Sequence, residues 1–217
     1  PPPPPDPLWS RGLGDVYKRQ VFQGEEIWFA YSQQGKDHLA ILEKNGDVRE
    51  VNLEATSINS LSATNDGVVA VIASYEQEPA VVKITEKEQV LCSTPRDLGL
   101  SSEWFPRPEL LEFPTSEGDT AWAHVYPPTN PDFQKSDEEL PPLIVLAHGG
   151  PTGAARTQLQ LSIAWWTSRG FCVADVDYRG STSYGRKYRH RLQPPLQYYP
   201  RLYLHPPASE YHGPSHQ

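Results

Sequence analysis

The chain has 217 residues, 19 Lys and Arg against 27 Asp and Glu for a formal charge of −8, and 37% hydrophobic residues. That length holds one full domain or pieces of two. The acidic balance excludes a nucleic-acid surface, which would carry a basic stripe, and no apolar run approaches the ~18 residues of a membrane-spanning helix.

The 23 prolines crowd the two ends. The opening, PPPPPDPLWSRGLGDVYKRQ, begins with a five-Pro run that favours extended polyproline backbone. Its GDVYKRQ can be encoded by the mosaic-end sequence that transposase-based library preparation attaches to DNA. Residues 1–20 are therefore set apart from the fold, as a cloning remnant would be. No charged-then-apolar secretory pattern is present at the start. Cys92 and Cys172 lie in separate apolar contexts, as expected of buried free thiols in a reducing, cytoplasmic compartment.

From Val21 the text changes to short apolar runs separated by glycine-containing turns. Strands are expected at Ile27 to Tyr31, His38 to Leu42 and Val48 to Leu53, with Asn45-Gly46-Asp47 as a hairpin turn of type I′. A second set is expected at Val68 to Ala73 and Ala80 to Ile84, with Asn65-Asp66-Gly67 as the turn. Strand, turn, strand with no helix between suggests propeller blades or a meander. The length from Val21 to Val90 allows one or two blades, against about four or more in a closed propeller. The proline-rich text between Cys92 and Leu110 reads as a domain crossing.

Two further strands are expected at Glu109 to Phe113 and Thr120 to Tyr126. After a polar proline-rich loop the pattern becomes α/β. Leu143 to Ala147 is a continuous apolar run, as in a strand covered on both faces. A helix is expected from about Thr157 to Ser168, with Leu161, Trp165 and Trp166 sharing a face and Gly170 as its stop. Phe171 to Tyr178 is the next buried strand, so the pair forms a βαβ unit with parallel pairing.

His148-Gly149-Gly150-Pro151 follows the first of these strands. Glycines there let backbone N–H groups approach a developing oxyanion without a Cβ in the way. The same text also fits a tight turn without chemistry. A phosphate-binding loop is excluded, because no Gly-Lys-Ser/Thr follows. Pro151 has no N–H, which leaves Gly150 as the donor. His148 reads as an orienting residue of the turn. The stretch DYRGSTSYG follows the second strand and should gather at the carboxyl end of the sheet, where open α/β folds keep their sites. There Arg179 pairs either with a substrate carboxylate or with an acid of the fold. Ser181, Ser183, Asp175 and Asp177 include no serine on a strained nucleophile turn. His38 and His124 are strand histidines without a partner pattern. His205, His212 and His216 lack metal-ligand spacing, so neither metal nor cofactor is expected.

PELLEFPTSEGDTAWAHVYPPTNPDF, LPPLIVLAHGGPTGA and WWTSRGFCVADVDYRGSTSYGRKYR resemble the entry into the catalytic domain of the prolyl oligopeptidase family. The likeness is to its acylaminoacyl-peptidase and dipeptidyl-peptidase-like branch. It is close over Glu103 to Leu192 and only propeller-like over Val21 to Val90. The resemblance implies partial β-propeller blades (21–103) followed by the N-terminal part of an α/β-hydrolase domain (104–192) with a mixed, mostly parallel sheet. It implies serine-type hydrolysis of short peptides, with the propeller restricting access. It makes Gly150 the backbone oxyanion donor, has His148 and Gly149 shape the turn, and places Arg179, Gly180 and Ser181 in the loop beyond the second strand. In that family the serine, aspartate and histidine come later. The chain carries no G-x-S-x-G, and residues 193–217 read as a non-homologous tail after a frameshift or read-through. The expectation is a truncated, inactive fragment that folds marginally. An esterase, or a non-catalytic interaction module built on propeller strands, are the alternatives. Nothing in the sequence sets the oligomeric state.

Overall fold

The computed structural model describes residues 19–115, 118–133, 139–149 and 153–192. Within them the chain forms three four-stranded sheets in sequence. The first runs in the order β1 (Gln20–Gln23), β2 (Glu26–Gln33), β3 (Lys36–Leu42) and β4 (Val48–Val51), antiparallel throughout. The second repeats that plan with β5 (Ser57–Ala63), β6 (Gly67–Ala73), β7 (Ala80–Thr85) and β8 (Gln89–Ser93). Two successive up-and-down sheets of four strands are consistent with propeller blades.

The blades are held by what their alternating positions bury. Trp28, Leu39 and Ile41 of the first sheet join Ile58, Leu61, Val68, Val82 and Ile84 of the second in one cluster. Complete burial of an Ile or Leu contributes about 1.5–3 kcal/mol each. The excluded opening reaches two residues less far than expected. Arg19 forms an ion pair with Asp37, its carbonyl accepts the Ala30 N–H at 2.7 Å, and Gln20 begins β1.

The Asn45 hairpin forms, with a different turn. Only Gly46 has positive φ (93°), while the Gly46 N–H donates to Glu43 at 2.9 Å and the Glu43 N–H to Asp47 at 2.9 Å. That is a tight turn closed by a left-handed glycine, and Asn45 need not leave the ordinary region. Positive φ at both central positions occurs instead at Gln34 (50°) and Gly35 (77°), joining β2 to β3.

The third sheet has the order β11 (Leu143–Ala147), β12 (Cys172–Asp177), β10 (Thr120–Tyr126), β9 (Glu109–Pro114). β11 and β12 pair in parallel, whereas β10 runs antiparallel to both β12 and β9. The sheet is thus mixed and, among the described residues, not mostly parallel. Helix α1 (Leu161–Thr167) lies between β11 and β12 in the chain and packs Ile163 against Tyr126 and Val173, with Ile144 and Leu146 alongside.

Three expectations fail here for physical reasons. The helix starts at Leu161 and not near Thr157, because residues 155–159 are held by hydrogen bonds to the blades and to Asp177. Leu161, Trp165 and Trp166 share a face, as expected, and it is the exposed one; Ile163, Ala164 and Thr167 are the buried residues. Among the described residues β11 is an edge strand with α1 on one face only, and Leu143 and Val145 stay about 60% exposed (59% and 62%). Cys92 and Cys172 are free thiols, but Cys92 is exposed and Cys172 half-buried. A short helix, α2 (Gly185–Arg189), and a 3-10 turn over His190–Leu192 close the described part, and no helix there is long and apolar enough to cross a membrane.

Candidate functional site

Parallel pairing of β11 and β12 carries the segments that follow them to the same edge of the sheet. His148 comes directly after β11, and Tyr178 to Ser181 directly after β12. They meet. His148 Nε2 lies 2.7 Å from Ser181 Oγ, and that hydroxyl donates to the Tyr178 carbonyl at 2.7 Å. With the serine proton committed, Nε2 carries the hydrogen and donates to Oγ. The Tyr178 ring stacks on the imidazole at 4.4 Å, and its hydroxyl donates to the His148 carbonyl at 3.0 Å. Gly153 packs so closely that a Cβ there would lie 2.7 Å from His148 Nδ1. The Thr182 N–H donates to the Gly153 carbonyl at 2.9 Å. The two post-strand segments are stitched into one unit.

Beneath them lies a buried carboxylate. Asp177 is fully enclosed; it accepts from the Ala155 N–H at 2.7 Å and the Tyr184 hydroxyl at 2.8 Å, and its carbonyl accepts from Tyr188 at 2.7 Å. His124 Nε2 stands 3.6 Å away and His148 Nε2 3.8 Å away. Burial, then the Asp177 charge, pushes the Tyr184 phenol up, and the same two causes raise Tyr188 to about 12. Both therefore remain protonated donors. His124 Nε2 and the Tyr126 hydroxyl, both buried, have no hydrogen-bond partner among the described residues.

Serine, histidine and aspartate are adjacent here, yet the geometry is not that of a nucleophile, base and acid. Ser181 and Asp177 both approach the same ring nitrogen, so no proton can pass across the imidazole from one to the other. Ser181 is also completely buried. His148 and Ser181 order the loops. Gly149 has open space around its Cβ position, and Gly180 is buried with φ 97°. Arg179 is half-buried. Gly150, expected as the oxyanion donor, lies outside the described residues, as does Pro151.

The hairpin between β2 and β3 seats on this unit. Gly35 fills a position where a Cβ would come within 2.3 Å of His124 Nε2, and the Gln34 N–H donates to the Ser183 carbonyl at 3.0 Å. The buried Thr157 hydroxyl reaches the Gly35 carbonyl at 2.5 Å and the Thr56 carbonyl at 2.9 Å, while the Leu159 N–H donates to Ser74 at 2.7 Å. His124, a strand histidine as expected, therefore stands at the site. The signal lies in the register: β10 runs antiparallel to β12 with His124 opposite Asp175. No group of three His, Cys, Asp or Glu among the described residues is placed to hold a metal ion.

The chain is similar to several known proteins. The prolyl oligopeptidase family matches residues 157–198. Dipeptidyl peptidase family member 6 of Caenorhabditis elegans is 42% identical over 45 residues, 21% of this chain and 6% of that protein. The structure of a puromycin-hydrolysing peptidase of Mycobacterium tuberculosis superposes with a TM-score of 0.75 at 30% identity, over 82% of this chain and 28% of that one. A puromycin hydrolase structure gives 0.74 at 34% identity, over 81% and 27%. The chain thus spans less than a third of the length of each of these relatives.

Proposed function

We propose, from the premise that this chain belongs to the prolyl oligopeptidase family, that it forms the junction of propeller and α/β-hydrolase parts in a serine-type peptidase acting on short peptides. One observation carries the reading. The segment opening His148-Gly149-Gly150 leaves the carboxyl end of β11 and is locked, through His148 and Ser181, to the loop that leaves β12. A turn held in that way can present a backbone N–H, which the family resemblance assigns to Gly150, to the oxyanion of acyl transfer. His148 and Gly149 shape the turn. Gly180 and Ser181 set the adjoining loop, and Arg179 orders it or meets a substrate carboxylate. The blades cover the site's flank through the Gly35 hairpin, in keeping with a propeller that restricts access.

The 217 residues contain no G-x-S-x-G elbow, so the nucleophile is not among them and this chain alone should not hydrolyse peptides. Reading the transcript through and beyond the codon for Leu192 tests the assignment. A glycine-flanked serine in the continuing message is expected, and a fluorophosphonate probe should label its product but not the 217-residue chain. A message that stops after Gln217 with no such serine would overturn the peptidase reading and favour an interaction module.

A further inference from the structure

A cavity of about 420 Å³ lies where the first blade meets the mixed sheet. Trp122 of β10 lines it, stacked on Tyr184 with ring centres 4.5 Å apart and planes 13° from parallel. Tyr31 of β2 lines it as well, so much of the wall is flat and apolar. Arg186 and Arg189 of α2 line the same cavity, in a chain whose overall charge is −8. Cavities between structural units, apolar with a few placed polar groups, are the usual form of a small-ligand site.

The backbone marks the same place. Among the described residues, Gln34 and Ser183 are the two non-glycine residues with positive φ, 50° and 77°. Both line this cavity, and the Gln34 N–H donates to the Ser183 carbonyl at 3.0 Å. Holding a non-glycine residue there costs on the order of 1 kcal/mol, and such strain gathers at ligand sites. Thr182 also lines the cavity while its N–H holds the Gly153 carbonyl at 2.9 Å. Whatever occupies the cavity therefore sits one loop away from the His148 turn.

We propose that this cavity takes the C-terminal end of a short peptide, its terminal carboxylate at Arg186 and Arg189 and a flat apolar side chain against Trp122 and Tyr31. The planar fork of arginine matches a carboxylate's two oxygens, and an indole face suits an aromatic ring. The choice of a peptide as ligand rests on the peptidase reading above; the demand for a carboxylate and a flat side chain rests on the cavity.

Titration of N-acetyl-L-phenylalanine, its amide and N-acetyl-L-alanine into the 217-residue chain tests this, read by tryptophan fluorescence and ligand-observed NMR. The phenylalanine acid should bind about tenfold more tightly than either its amide or the alanine acid. In Arg186→Gln/Arg189→Gln the acid-to-amide ratio should fall to about twofold or less, with the amide's own affinity unchanged. No saturable binding, equal affinity for acid and amide in the unaltered chain, or discrimination that survives in the double variant would each overturn the proposal. Binding is read without turnover. The proposal therefore fails on these titrations, whereas the peptidase reading fails on the missing downstream serine.

Discussion

Asp175 occupies a position where solvation and neighbouring charge oppose each other. Burial, and next the Asp177 carboxylate, raises its carboxyl above the ordinary value, while His124, His148 and Gln160 pull it down. The net direction is upward, so the folded state holds this proton more tightly than the unfolded one. Stability from this group is then greatest below the ordinary carboxylate range of about pH 4. It declines as pH rises through the folded value and levels above it. Asp175→Asn removes the titration. The variant should gain on the unaltered chain as pH climbs from about 4 toward 7, in urea melts taken at stepped pH. A difference that stays flat across that interval would show that Asp175 titrates alike in both states.

Residues 155–159 act as a strap between the His148 turn and both blades. Ala155 is bound to Asp177, Thr157 to the carbonyls of Gly35 and Thr56, and Leu159 to Ser74. Thr157→Val keeps the shape and removes the hydroxyl, taking that donor from the Gly35 carbonyl, while the Thr56 carbonyl still accepts the Asp37 N–H. A cost of about 1–3 kcal/mol is expected. Hydrogen exchange should quicken first at the 33–36 hairpin and the strap, with the blade cores following only at global unfolding. Uniform acceleration through all three sheets would count against a strap. The same segment shows where sequence patterning stops being informative. Blade strands such as Gly67–Ala73 and Ala80–Thr85 are legible because their apolar patterning is local, and the βαβ order is equally so. β5 (SINSLSA) is not, since its serines and alanine carry no strand signature and its place comes from pairing with β6. The helical pattern runs several residues longer than the helix because tertiary hydrogen bonds, invisible in one sequence, hold 155–159 outside it. His124 and Asp177 meet only through the β10–β12 register, which no short motif encodes.

For the molecule as a whole, the blades bury a continuous cluster against each other while their outer strands leave Phe22, Val48, Val90 and Leu91 exposed. The third sheet ends, among the described residues, in the edge strand β11 with one apolar face open. Leu143 and Val145 of β11 are 59% and 62% exposed, and Leu161, Trp165 and Trp166 add apolar surface from α1. An edge strand with free N–H and C=O groups and a β-branched, apolar face is a template for pairing with another chain. The 217-residue chain should therefore associate as its concentration rises, with β11 as one of the edges that pair. Val145→Lys places a charge on that edge, the device by which natural sheets discourage such pairing, and should weaken association about tenfold, or ~1.4 kcal/mol. Leu100→Lys, at a comparably exposed leucine in the connector between the sheets, should leave it unchanged. Sedimentation velocity over a concentration series separates the two. If both lysine variants behaved alike, general surface charge and not the β11 edge would govern association. A monomer at every concentration would mean that the edge is covered in solution.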